Sequence, residues 1–261
     1  MAITTRDGLI AAMAASQRMR FYKGGVTTVA GAYASLWRAF GNPAAGAAGP
    51  ANGSGVALTS ASTGALPIPA PSNTSYLAAF DAGGNAPGTL MLCDRIAQWG
   101  VDAAVNTSQS MGAVTLPTRA TSYTDMELWL EVETALGATQ TGNITINYTD
   151  QGNAAGTTSV GQFPASAPAG RALPVSLASG DYGVRSVTSV QLTTATTGKL
   201  NAVLRRVICP INILAVGASA NLGYPETDLE VVGNDSCLEL MWLPQGTTAP
   251  NVLGGYSIAQ G

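Results

Sequence analysis

Residues 126–132 read MELWLEV, so Met126, Leu128, Leu130 and Val132 alternate with Glu127, Trp129 and Glu131. A side-chain period of two fits a strand with one apolar and one polar face. After a Gly- and Thr-rich stretch at 136–142, Ile144, Ile146 and Tyr148 alternate with Asn143, Thr145 and Asn147. The two runs are expected to pair as a hairpin with their apolar sides together. Further strands are expected at 90–96, 184–192, 200–208, 229–232, 238–243 and 252–258, each bounded by Gly, Pro or Asn-Asp. Many short strands with few helices predict a mainly β fold, a β-sandwich or jelly-roll-like body.

The first 75 residues read differently. Leu9, Ile10, Met13 and Met19 fall at roughly helical spacing, with Thr4 or Thr5 as N-cap and Gly24-Gly25 as terminator. Residues 32–40 (AYASLWRAF) form a second predicted helix, stopped by Gly41-Asn42-Pro43. Residues 41–75 are mostly Gly, Ala, Pro, Ser and Thr, too poor in large apolar groups to offset their own ordering entropy. The expected division is an N-terminal region of helices and extended arm at 1–75, which a neighbouring subunit orders, and a β-body at 76–261.

Charged residues make up 10% of the chain, against roughly 25% in an ordinary soluble domain. A surface built of uncharged polar groups repels neighbours weakly and suits a subunit packed against others. A net charge of −3 with 12 scattered Lys and Arg argues against nucleic acid as a partner. No uncharged apolar run approaches the ~18 residues that a membrane helix needs, so no membrane partner is expected. The apolar run at 9–15 is short and followed by Arg18 and Arg20 rather than small residues, unlike an export signal. The Asn-x-Thr triplets at Asn143 and Asn147 then read as the polar side of a strand, not as sugar acceptors.

The chain has no His, which removes Ser-His and Cys-His nucleophile pairs and His-containing zinc sites. Cys93, Cys209 and Cys237 lie in apolar stretches without metal-ligand spacing and read as small buried hydrophobes. Glu127 and Glu131 lie about 13 Å apart along one strand face, too far for a retaining carboxylate pair, and read as solvated. The Asp150-Gln151-Gly152-Asn153 segment reads as a β-turn and not a calcium loop. No catalytic residue, metal or cofactor is expected.

Several stretches carry a resemblance: RDGLIAAMAASQRMRFYKGG with YASLWRAFGNPAAGAAG at the start, ITINYTDQGNAAGTT in the middle, and GVRSVTSVQLTTATTGKLNAVLRRVI with LELMWLPQGTTAPNVLGGYSIAQG at the end. They resemble the virion structural proteins of tailed bacteriophages. The resemblance implies a capsid decoration or cement protein, made in the host cytoplasm and seated on the capsid surface. Its implied partners are the major capsid protein and its own copies, as a homotrimer. A tail or baseplate subunit with a receptor- or carbohydrate-binding β-domain is the alternative. Trp37, Arg38 and Phe40 of the N-terminal region, with Trp129 on the polar strand face, are the expected partner contacts. On this reading, removal of residues 1–60 leaves a folded body that no longer attaches to the shell.

Overall fold

The computed structural model describes residue 3, residues 5–70 and residues 73–261. Helix α1 (Arg6–Ala14) opens the described chain. The strands that follow are β1 (Gln17–Gly24), β2 (Ala34–Ser35), β3 (Phe40–Asn42), β4 (Gly55–Ala57), β5 (Ser75–Gly84) and β6 (Gly88–Asp102). Next come β7 (Gln109–Ser110), β8 (Glu127–Thr134), β9 (Ile144–Asp150), β10 (Ala155–Val160), β11 (Ala172–Pro174) and β12 (Val184–Leu192). The last elements are β13 (Lys199–Ile213), β14 (Ser219–Leu222), α2 (Tyr224–Thr227), β15 (Val231–Val232), β16 (Leu238–Pro244) and β17 (Asn251–Gln260). The mainly β fold read from the sequence is what the chain adopts.

Three antiparallel sheets build two sandwiches that share their middle sheet. The shared sheet runs β11-β8-β13-β6-β16-β2, with β4 also on β6. Its spine is the pair β6 and β13, 15 residues each, or roughly 50 Å at the strand rise. Over one half, the sheet β10-β9-β12-β7 packs Ile144, Ile146, Val187 and Val190 against Trp99, Leu128, Leu130 and Leu204. Over the other half, the sheet β14-β5-β17-β1-β3 packs Phe21, Phe80 and Tyr256 against Leu92, Ile211, Leu240 and Trp242. Strand β6 is buried on both faces almost throughout, which explains why apolar runs such as Leu90–Cys93 replace strict alternation.

Two β-bulges separate the halves. Leu204 lies opposite Ala97 but Arg205 lies opposite Arg95, so Ile96 is an extra residue in β6. Val207 lies opposite Cys93 and Cys209 opposite Leu92, which makes Ile208 extra in β13. Each bulge shifts the alternation by one. Arg95 thereby faces away from both cores, whereas Asp94 points between them and binds Arg119 (2.8 and 3.0 Å) and the Ser236 hydroxyl (2.8 Å).

Three expectations are corrected. The runs at 126–132 and 144–148 do not form a hairpin, because β8 pairs with β11 and β13 while β9 pairs with β10 and β12. They are opposite walls of one core, joined by an arch, since apolar faces on the same side are equally satisfied by face-to-face packing. The predicted first helix ends at Ala14, and Met19 lies in β1, held edge to edge against β17 over the register Gln17↔Ile258 to Gly24↔Asn251. Thr5 caps that helix by accepting from the Gly8 N–H at 3.0 Å, while Thr4 lies outside the described residues. No helix forms at 32–40, where β2 pairs with β16 and β3 with β1.

The Gly/Ala/Pro segment is ordered by its own chain rather than needing a neighbour. It supplies β4, which takes the edge of β6 at residues 97–99, just beyond the stretch that β16 covers. Its small residues permit backbone to lie flat on the body: a Cβ on Gly46 would sit 2.2 Å from the Trp37 ring, and one on Gly49 would sit 2.1 Å from the Asn201 side chain. Lys199 Nζ donates to the Gly49 and Pro50 carbonyls at 3.2 and 2.6 Å, and Trp37 Nε1 to the Ala47 carbonyl at 3.0 Å. Deletion of residues 1–60 therefore strips β1, β2, β3 and β4 from two sheets. The truncated chain is expected to lose its cooperative unfolding transition in calorimetry instead of surviving as a folded body.

Lys23 of β1 is buried and donates to the Ala39 and Ala44 carbonyls at 3.3 and 3.1 Å, with no carboxylate partner among the described residues. Burial lowers its pKa from 10.5 to about 8. Between those values the unfolded chain binds the extra proton, so this residue makes stability rise as pH increases from about 8 to 10.5. Lys23→Met is expected to be more stable than the parent at pH 7, with the gap narrowing by pH 10. Thermal unfolding of the two proteins across that range checks this.

Candidate functional site

Four adjacent strands each contribute one fully buried charge at the centre of the shared sheet: Glu131 from β8, Arg205 from β13, Arg95 from β6 and Glu239 from β16. The register sets the two guanidinium-bearing residues directly opposite each other, a repulsive arrangement by itself. The carboxylates resolve it. Glu131 Oε2 accepts from Arg95 Nη1 and Arg205 Nη2, both at 2.9 Å. Glu239 accepts from Arg95 Nη1 at 2.8 Å and pairs with Arg205 Nε at 3.2 Å. The Gln98 side-chain carbonyl accepts from Arg95 Nη2 and Nε at 2.7 and 3.1 Å, and Arg205 Nη1 also meets the Met241 sulfur.

Aromatic rings close this quartet. The Arg95 guanidinium lies 5.1 Å from the Trp37 ring, and Arg205 lies 5.2 Å from the Trp129 ring, which in turn meets Tyr33 edge-on at 4.8 Å. Burial acts to raise the Glu131 pKa, but Arg95 and Arg205 outweigh it and hold the carboxyl below its ordinary value. Burial likewise works against the charge on Arg95, and Glu131 and Glu239 reverse that effect. The quartet carries no net charge, and its bonds run among its own four side chains and to the adjacent Gln98 and Met241, so it ties four strands together.

The sequence-predicted contacts divide accordingly. Trp37 and Trp129 are only 2% and 3% exposed, so both are lids on the quartet rather than partner contacts. Glu127 is exposed, as the solvated reading expects, but Trp129 and Glu131 on the same strand face are buried, and β2, Tyr33 and the segment around Trp37 cover them. Arg38 is exposed and donates to the Gly46 carbonyl at 2.8 Å. Phe40 is 56% exposed, with its ring 6.1 Å from that of Tyr22. Cys93, Cys209 and Cys237 are buried as expected, and burial pushes the Cys209 thiol up to about 11.

Phe40 begins a strip of exposed apolar side chains that sequence reasoning missed. Tyr22 on β1 lies beside Leu253 on β17, and Leu253 lies opposite Gly83 on β5. Leu253 and Val216 then line a shallow apolar hollow with Gly83, Gly84 and Asn85. Leu253 is 60% and Val216 72% exposed. The strip crosses the outward face of the second sandwich, and the far end of the same face is covered by α1, where Ala12 packs on Ala78 and Ala259. Contiguous exposed apolar surface makes this strip a candidate interaction site. A separate cleft of about 410 Å³ beside the quartet is lined by Tyr33, Glu127, Trp129, Asp181 and Tyr182 among others.

No protein-family model and no curated protein matches the chain. Among solved structures, the VP2 subviral particle of infectious bursal disease virus aligns over 94% of this chain and 80% of its own at 10% identity, with a TM-score of 0.21. The infectious bursal disease virus Gt strain structure aligns over 94% and 80% at 9% identity, with a TM-score of 0.20. At such scores the likeness carries no argument about this chain.

Glu131→Gln leaves two guanidinium groups sharing one carboxylate in a dry site, and the expected cost is about 3–5 kcal/mol of stability, read as a lowered denaturant midpoint. The sign with pH follows from the depressed carboxyl: its contribution is complete above the ordinary value of 4.5 and disappears as pH falls through the lower folded value. The variant is therefore expected to lose much less stability than the parent between pH 5 and strong acid.

Proposed function

We propose that this chain is a structural subunit of a virus particle, a decoration or cement protein seated on the capsid of a tailed bacteriophage. The strip Phe40–Tyr22–Leu253–Val216 carries the proposal. It is apolar, lies on a stiff antiparallel sheet and sits apart from the buried charge cluster. The sequence resemblance supplies the partner, the major capsid protein, and a homotrimer as the assembly. Several copies tethered in one assembly raise each other's effective concentration at the shell, so individually weak contacts suffice.

The cleft lined by Tyr33, Asp181 and Tyr182 supports a second reading, a tail or baseplate subunit whose β-domain grips a receptor sugar. Aromatic rings beside carboxylates offer stacking and hydrogen-bond acceptors to a carbohydrate.

The full-length protein is expected to co-sediment saturably with expanded heads that lack it and to raise their disruption temperature. Leu253→Asp is expected to weaken that binding at least about tenfold while leaving the thermal midpoint of the free protein within a few degrees. Failure to bind heads, with glycan binding that Tyr182→Ala removes, would transfer the assignment to the tail.

A further inference from the structure

Strand β10 is the outermost strand of its sheet, and among the described residues no strand pairs with its second edge. The other outer strands among the described residues are short: β7, β2 and β15 have two residues, β3 and β4 three, and β14 four. β11 has three residues and ends in Pro174. Folded proteins usually blunt sheet edges by shortness, charge or proline, because an open edge templates further pairing. β10 has six residues, AGTTSV, with no charge and no proline.

The direction of its free groups follows from the turn before it. The Asp150 N–H donates to the Ala154 carbonyl at 2.9 Å, which makes 150 and 154 a hydrogen-bonded pair. Alternation then directs the backbone of residues 156, 158 and 160 to β9 and that of Ala155, Thr157 and Ser159 to the open edge. Those three residues are exposed. The neighbouring side chains are engaged elsewhere: Thr157 Oγ1 donates to Asn147 Oδ1 at 2.6 Å and Thr158 Oγ1 to the Ser176 carbonyl.

We propose that β10 is a self-association edge, pairing antiparallel with β10 of a second copy about a two-fold axis through Thr157. In that register Ala155 faces Ser159 of the second copy and Thr157 faces its own counterpart. Every outward N–H and C=O of the three residues is then paired, and the two four-stranded sheets become one continuous sheet. A second copy fits better than a foreign strand because a neutral strand meets itself without like-charge repulsion and offers no charge with which to select another partner. The exposed outer side chains, Ala155, Thr157 and Ser159, are small and β-compatible, and all lie on one face in both copies. The contact is independent of whether the assembly sits on a head or a tail, and it lies on the opposite sandwich from the apolar strip.

Sedimentation equilibrium of the full-length protein tests this together with two variants. Thr157→Pro removes an N–H that no group among the described residues is shown to accept, and Thr157→Lys places like charges across the proposed axis. The expected result is a hexamer of two homotrimers joined through β10, or a dimer if the homotrimer does not form in solution, and both variants halve the mass while circular dichroism stays unchanged. If Thr157→Pro disturbs the fold, Thr157→Lys and oxidative cross-linking of Thr157→Cys decide, since the native cysteines are buried. A monomeric parent at high micromolar concentration, or an oligomer that Thr157→Lys leaves intact and Thr157→Cys does not cross-link, would overturn the assignment.

Discussion

The pairing of Arg95 with Arg205 across the two longest strands is the constraint on which the rest of the structure depends. Two guanidinium groups at opposite positions of an antiparallel pair must be neutralised, and both are fully buried away from bulk solvent. β8 and β16 bring Glu131 and Glu239 from either side, so the order of four strands is tied to one electrostatic requirement. A shifted register on any of them would leave a charge buried and unpaired. The quartet thus specifies alignment in a sheet whose apolar residues alone would tolerate several registers.

The same requirement accounts for the bulges and for the N-terminal segment. In a regular strand Arg95 and Ala97 would share a face; the extra residue Ile96 places them on opposite faces, Ala97 in the core and Arg95 away from it. With it, the shared sheet keeps both apolar cores on one face and gathers its charges on the other. That charged face then needs a dry cover, which Tyr33, Trp37 and the glycine-rich run provide. Glycine and alanine dominate residues 41–64 because backbone there approaches indole rings and strands closely, and larger side chains would hold it off.

Two surfaces remain after these internal demands are met. One is the apolar strip from Phe40 to Val216 on the second sandwich; the other is the open edge of β10 on the first. They lie on different sheets, so contact with a foreign shell and contact with another copy need not compete. A chain with few charges can carry both, because its uncharged polar surface offers little repulsion to either neighbour.

The sequence by itself determined the class of fold and the long strands β6, β8, β9, β12, β13, β16 and β17. Alternation at 126–132 and 144–148, and the punctuated apolar runs at 184–192, 238–243 and 252–258, are local signals that read correctly because each strand buries one face. Partnership was decided only by tertiary structure. Whether β8 and β9 pair or face each other depends on where the arch between them leads, and alternation is identical in both cases. The polar face of β8 became an interior because residues 32–50 return to cover it, an event nearly a hundred residues away in the chain. Glu131 therefore looks like any solvated carboxylate in a window of seven residues. Its burial follows from long-range pairing with Arg95, Arg205 and Glu239, which leaves no periodicity in the sequence to read.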